Sequence, residues 1–336
     1  MPNNFRKYKD PNKKSFNLYN LFSGGLGEGK GVKKEDRITS YSVLNGVKLY
    51  GRNFANMFKL NLLYLFGNFP IIFILFALSG NVSLPSLTQT NILYSSFRGV
   101  LLSGEYDPVM AALNGVIGYR TLNYVPTTAT YVLFGLSALV LFTFGIVNVG
   151  CAYILRNIVK QEPIFFMSDF FYAIKRNWKQ ALPFGILDLL FSALLCYDVI
   201  FFYYNIGPFF NNICFYLSIA LVFLYFSMRF YIYPMMLTFD LSIFKLFKNA
   251  LIFTALGFKR NIMALIMMVL TALLAYGIFL TYAPLGMILP IVILISTLAF
   301  ISMYAAFPKI KEIMIDPYYK DEPEEDMEAP IFRDMG

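Results

Sequence analysis

Six runs of apolar residues, each 20 to 25 positions long, recur along the chain at 60–79, 131–154, 181–203, 213–237, 262–282 and 285–307. A helix rising 1.5 Å per residue needs about 20 such residues to cross a hydrocarbon core of about 30 Å. The runs are too long and too continuous for barrel strands, whose side chains alternate between lipid and lumen. With no water in the core, only helices and closed barrels satisfy the backbone. The pattern predicts an all-α integral membrane protein with six transmembrane helices.

The polar stretches between the runs have patterns of their own. From Ser42 onward Val43, Val47, Tyr50, Phe54, Met57 and Phe58 recur at helical spacing with Lys48, Arg52 and Lys59 between them. That is an amphipathic helix lying in the inner headgroup region and running into the first span. The first span contains Asn61, Asn68 and Pro70, the last of which predicts a kink. Between the first two spans, Asp107-Pro108 opens a short helix through Val109, Met110, Leu113, Val116 and Ile117, read as interfacial or as a lid. Ser168 and Asp169 predict a helix start with Lys175, Arg176 and Lys179 on one face, and Asp240 and Ser242 another with Lys245 and Lys248. Both suit the inner leaflet or a docked partner, and their similarity suggests a weak internal repeat.

Charge decides the orientation. Lys and Arg number 12 in 1–59, 5 in 155–180, 4 in 238–261 and 4 after 307, against 2 in 80–130 and none in 204–212 or 283–284. The positive-inside rule then places both termini in the cytoplasm and the chain in the cell membrane. The formal charge of +8 reads as topology and as attraction to the lipid bilayer, not to nucleic acid, because the basic residues are scattered along the loops. Mean hydropathy of +0.59 and only 14% charged residues agree with this class. The expected organisation is a disordered basic tail at 1–41, a membrane domain at 42–310 with an outer loop at 80–130, and an acidic tail at 311–336.

Candidate chemistry is sparse. The chain has no histidine, the commonest general base and metal ligand, and its three cysteines (Cys151, Cys196, Cys214) lack metal-ligand spacing. Cys196 and Cys214 fall at the same end of consecutive spans and read as apolar filler or a disulfide. Gly24-Gly25-Leu26-Gly27-Glu28-Gly29-Lys30-Gly31 nearly spells a phosphate-binding loop. It lacks the final Ser or Thr and any preceding strand, so no nucleotide site is expected. No catalytic residue, cofactor or metal site is assigned.

The ionisable residues inside the spans are the candidates that remain. Asp188 lies 7 residues past Ala181, a depth of about 10 Å, and Arg229 lies 8 residues before Leu237, about 12 Å deep on the next span. A lone charge at the bilayer centre costs about 3 kcal/mol or more, so the two are expected to face each other. Such a pair either locks two helices or forms a site, with Asn61, Asn68 and Asn148 as polar companions along a path. Asp198 lies further out, toward the aqueous edge.

Phe58-Lys59-Leu60-Asn61-Leu62-Leu63-Tyr64-Leu65 with Pro70-Ile71 resembles the first span of the YesL-like family of bacterial membrane proteins, a domain of unknown function. So do Tyr153-Ile154-Leu155-Arg156-Asn157, Ser168-Asp169-Phe170 and Lys175-Arg176-Asn177-Trp178-Lys179-Gln180-Ala181. The resemblance covers about residues 46–315, and departs from the compact members at 80–130 and in the acidic tail. It implies no catalytic residues, and an association with carbohydrate importers of the ATP-binding-cassette (ABC) type. Two functions follow as expectations: an accessory partner of such an importer, or a small ion-coupled transporter or channel with a path near Asp188 and Arg229.

Overall fold

In the computed structural model the described residues are 38–319, apart from 39, 90–92, 95, 97–107 and 119. The tails at 1–37 and 320–336, with the glycine-rich segment, lie outside them. The protein is an all-α membrane protein. Five stretches are long and apolar enough to cross a bilayer: Thr128–Lys160, Phe166–Tyr204, Phe209–Thr238, Phe258–Thr281 and Ala283–Ile315. A sixth is reached if the pair Phe54–Gly67 and Ile71–Leu78 counts as one bent span.

The chain forms two compact units, Asn68–Phe142 and the remainder. In the larger unit, α1 (Val43–Arg52) starts at Ser42, whose hydroxyl accepts from the Asn45 amide at 3.3 Å. It is followed by α2 (Phe54–Gly67). In the smaller unit, α3 (Ile71–Leu78) packs against α5 (Thr128–Ser137), and between them run β1 (Ser83–Gln89), α4 (Pro108–Ile117) and β2 (Arg120–Pro126). The strands pair antiparallel from Ser83↔Pro126 to Gln89↔Arg120. Gly80, at φ 78°, turns the chain from α3 into this ribbon, and Thr127 caps α5 while its hydroxyl donates to the Val82 carbonyl. The sequence pattern predicts the helix at Pro108 but not the ribbon around it.

The rest of the larger unit comprises α6 (Val140–Lys160), α7 (Phe166–Tyr204), α8 (Phe209–Thr238), α9 (Ile243–Leu256), α10 (Phe258–Thr281), α11 (Ala283–Leu289), α12 (Ile295–Ile310) and α13 (Asp316–Tyr319). π-helical turns at Pro290–Leu294 and Lys311–Ile315 flank α12. The last span therefore runs on past 310, where the pattern expects an acidic tail. α8 packs against α7, α9 and α12, and α12 also against α2 and α10. Lipid provides no hydrophobic drive between helices, so close packing must hold them. At the crossing of α6 and α7, Gly145 sits directly on Ala181 and Gly185, so close that a Cβ on either glycine would overlap the facing backbone.

The two basic segments differ, contrary to the suggested repeat. The first is no separate helix, because α7 runs unbroken for 39 residues from Phe166, through Pro183, into the span. Ser168 and Asp169 lie in its first turn, and the Asp169 carboxylate accepts from the Phe165 amide at 2.9 Å. The second is a distinct helix, α9, ended at Gly257, where the Tyr231 hydroxyl leaves no room for a side chain. Cys151 is buried, and all three cysteines are free.

Candidate functional site

The buried face of α7 presents Ala181, Phe184, Gly185 and Asp188 at helical spacing. Asp188 is fully buried, at 0% exposure. Opposite it, Tyr225, Arg229 and Tyr233 follow one another at intervals of four along α8 and form a single ridge. Three turns of one helix thus converge on one carboxylate. The Tyr225 hydroxyl donates to Asp188 Oδ1 at 2.8 Å, while Arg229 Nε at 2.9 Å and the Tyr233 hydroxyl at 2.7 Å donate to Oδ2.

Aromatic rings close the cluster. The Arg229 guanidinium lies 5.3 Å from the Phe144 ring centre and 5.9 Å from that of Tyr233, within cation–π range. Phe184 meets Tyr233 edge-on at 5.2 Å, Phe191 leans on Tyr225 at 5.8 Å, and both contact Phe247 of α9. The charge of Asp188 is compensated by one cation and two hydroxyls, the arrangement that makes a buried carboxylate tolerable in a low-dielectric medium. Among the described residues this is the one ion pair with a fully buried member; in Lys160–Glu162 and Lys309–Glu312 both side chains keep some solvent exposure.

The polar span residues fall in different places. Asn61, also fully buried, reaches the π-helical turn of the last span. Its Nδ2 donates to the carbonyls of Pro290 (2.9 Å) and Ile291 (2.7 Å), and its Oδ1 accepts from the Ser296 amide (2.9 Å). Pro290 has no N–H to give, and the widened turn leaves backbone groups without helical partners; one amide side chain satisfies three of them. Asn148 donates to the Phe144 carbonyl one turn back on its own helix, at 2.9 Å. Asn68 belongs to the smaller unit, where its carbonyl accepts from the Ile71 amide at the start of α3. In the larger unit, then, Asp188 and Arg229 form one cluster, Asn61 serves a helix break, and Asn148 bonds within α6.

Residues that the hydropathy pattern does not single out complete these sites: Tyr225, Tyr233, Pro290 and Ser296. The signal for the tyrosines is their four-residue spacing about Arg229. At the basic end of the bundle Arg156 of α6 donates to the carbonyl of Leu237, the last residue but one of α8, at 3.1 Å, and covers the Tyr153 ring at 4.6 Å. Gln180 of α7 donates to the Leu241 carbonyl at 3.1 Å, tying the second basic segment to the first. Compared with family models, curated proteins and solved structures, the chain matches none of them.

Proposed function

We propose that this chain is a non-catalytic accessory partner of a membrane transport complex, seated in the cell membrane with both termini cytoplasmic. The resemblance to the YesL-like family suggests a carbohydrate importer of the ABC type as the complex it serves. The observation that carries the reading is the saturation of Asp188 by Tyr225, Arg229 and Tyr233. A carboxylate that couples ion movement to transport must exchange its partners during each cycle. Here three donors from consecutive turns of one helix occupy both oxygens, an arrangement suited to holding α7 and α8 in register.

Docking has a suitable surface at the basic end. Lys175, Arg176 and Lys179 on α7 and Lys245 and Lys248 on α9 are exposed, with Trp178 and Phe244 exposed among them. A mixed basic and aromatic surface fits an acidic, partly apolar partner at the membrane face. Purified protein in liposomes should move no sugar, with or without a proton or sodium gradient. Co-expression with importer subunits should yield a complex that survives purification and is lost when Lys175, Arg176 and Lys179 are changed to Glu.

A second reading, a passive or ion-coupled carrier, draws on the interrupted helices at 68–70 and at Pro290–Leu294, since discontinuous spans form the binding sites of many transporters. Saturable, gradient-driven uptake abolished by Asp188→Asn would favour the carrier and end the accessory reading.

A further inference from the structure

Gln161 follows α6 with a φ of 59°, the one non-glycine residue with a positive φ among the described residues. Its amide donates to the Ile158 carbonyl and the next amide, of Glu162, to that of Asn157, both at 3.0 Å. This is the turn that closes a helix through a left-handed residue, a position where glycine is usual because side chains are strained there. The Gln161 side chain, 7% exposed, is used elsewhere. Its Oε1 accepts from the Ile38 amide at 3.0 Å and its Nε2 donates to the Ile38 carbonyl at 2.9 Å. One side chain thus reads both backbone groups of a residue 123 positions away, as a neighbouring β-strand would.

From Ile38 the chain crosses to other helices. The Tyr41 ring meets that of Tyr304 edge-on at 5.8 Å and lies under the Arg260 guanidinium at 5.9 Å. Burial pushes the Tyr41 phenol above its ordinary value, and the nearby Arg260 charge opposes that shift. The Tyr304 hydroxyl donates to the Ser42 carbonyl at 2.8 Å. Ile38, Tyr41 and Ser42 therefore touch the end of α6, the start of α10 and the second half of α12. Among the described residues, no backbone-to-backbone hydrogen bond joins them to those three helices.

We propose that Ile38, Tyr41 and Ser42 form a latch across the basic end of the bundle, with Gln161 as its catch. Closed, the latch joins the ends of α6, α10 and α12. Because side chains make every polar contact described between these three residues and those helices, it lifts and uncovers Gln161, Arg260 and Tyr304 while α6, α10 and α12 keep their own hydrogen bonds. The strain at Gln161 is what the catch requires, since a glycine would close α6 more comfortably but could not hold Ile38. The latch does not depend on the accessory reading.

Trypsin tests this on the full chain in detergent. Arg37 precedes Ile38, and cleavage between them requires the Ile38 backbone to leave Gln161. Gln161→Gly should speed that cleavage about tenfold relative to the cut after Lys14, the factor expected for one to two lost hydrogen bonds, with an equal or higher melting temperature. Tyr304→Phe should speed it by about threefold to tenfold, since one hydrogen bond is lost. An unchanged ratio in both variants, or acceleration spread evenly over all cleavage sites in both, would overturn the latch.

Discussion

Replacing Asp188 by Asn changes few atoms and breaks the cluster at a defined point. The new amide keeps one acceptor oxygen for Tyr225 but turns an NH₂ group toward Arg229 Nε and the Tyr233 hydroxyl. A hydroxyl can rotate to accept; a guanidinium cannot. Arg229, whose side chain is 24% exposed, is left without its counter-charge. Removing one member of a buried ion pair typically costs about 3–5 kcal/mol. At about 2–4 °C per kcal/mol for a domain of roughly 150–250 residues, the melting temperature in detergent should fall by roughly 6–20 °C. Arg229→Gln should fall in the same range, because it strands the carboxylate. In the double variant two neutral amides can bond to each other, so its loss should be smaller than the summed single losses by about 2–3 kcal/mol. Thermal unfolding followed by intrinsic fluorescence, at fixed detergent and salt, measures all four corners of the cycle. If the single losses add to within about 0.5 kcal/mol, Asp188 and Arg229 are independent and the lock between α7 and α8 does not exist.

Other parts of the structure give sharper contrasts. Tyr233→Phe should cost about 1.5–3 kcal/mol, the usual value of a hydrogen bond to a charged group, and shift the same melting curve accordingly. Asn61→Asp should destabilise more than Asn61→Ala, because a carboxylate sets further acceptors against the Pro290 and Ile291 carbonyls; equal losses would contradict the clamp. Gly145→Ala should cost about 1–3 kcal/mol from overpacking on α7. Gly277→Ala, where a Cβ meets nothing within 4 Å, should be neutral or stabilising by up to about 1 kcal/mol. In a background without Cys151, Cys196 and Cys214, an impermeant maleimide on intact cells should label Ser96→Cys and spare Lys320→Cys; the reverse pattern inverts the topology.

Length and hydropathy made the helical membrane class legible, because the bilayer thickness leaves few alternatives. The pairing of Asp188 with Arg229 was legible for a related reason, since two charges at matching depth have nowhere cheaper to go. Tyr225 and Tyr233 were not, because tyrosine is common in this chain and its hydroxyl shows no preferred partner until the helices are docked. The partner of Asn61 depends on a widened turn 229 residues away, which no local pattern reports. The β-ribbon escaped notice because Ser83–Gln89 contains Pro85 and lacks a clean apolar alternation, so its pairing with Arg120–Pro126 rests on the tight linkage at Gly80 and Thr127. The long α7 shows the opposite error. A polar, basic first half followed by an apolar second half suggests two elements, but nothing between Trp178 and Phe184 except Pro183 interrupts the backbone ladder.

The clamp between Asn61 and the last span also sets an order of events during synthesis. At about 5–20 residues per second, the ribosome needs roughly 10–50 s to travel the 229 residues from Asn61 to Pro290. For that interval α2 holds an amide side chain whose final partners do not yet exist, and hydrocarbon would offer it none. The early helix must therefore wait beside the insertion machinery or a temporary neighbour until the final span arrives. Chains that stop short of residue 290 keep this polar side chain without the partners that satisfy it in the finished molecule.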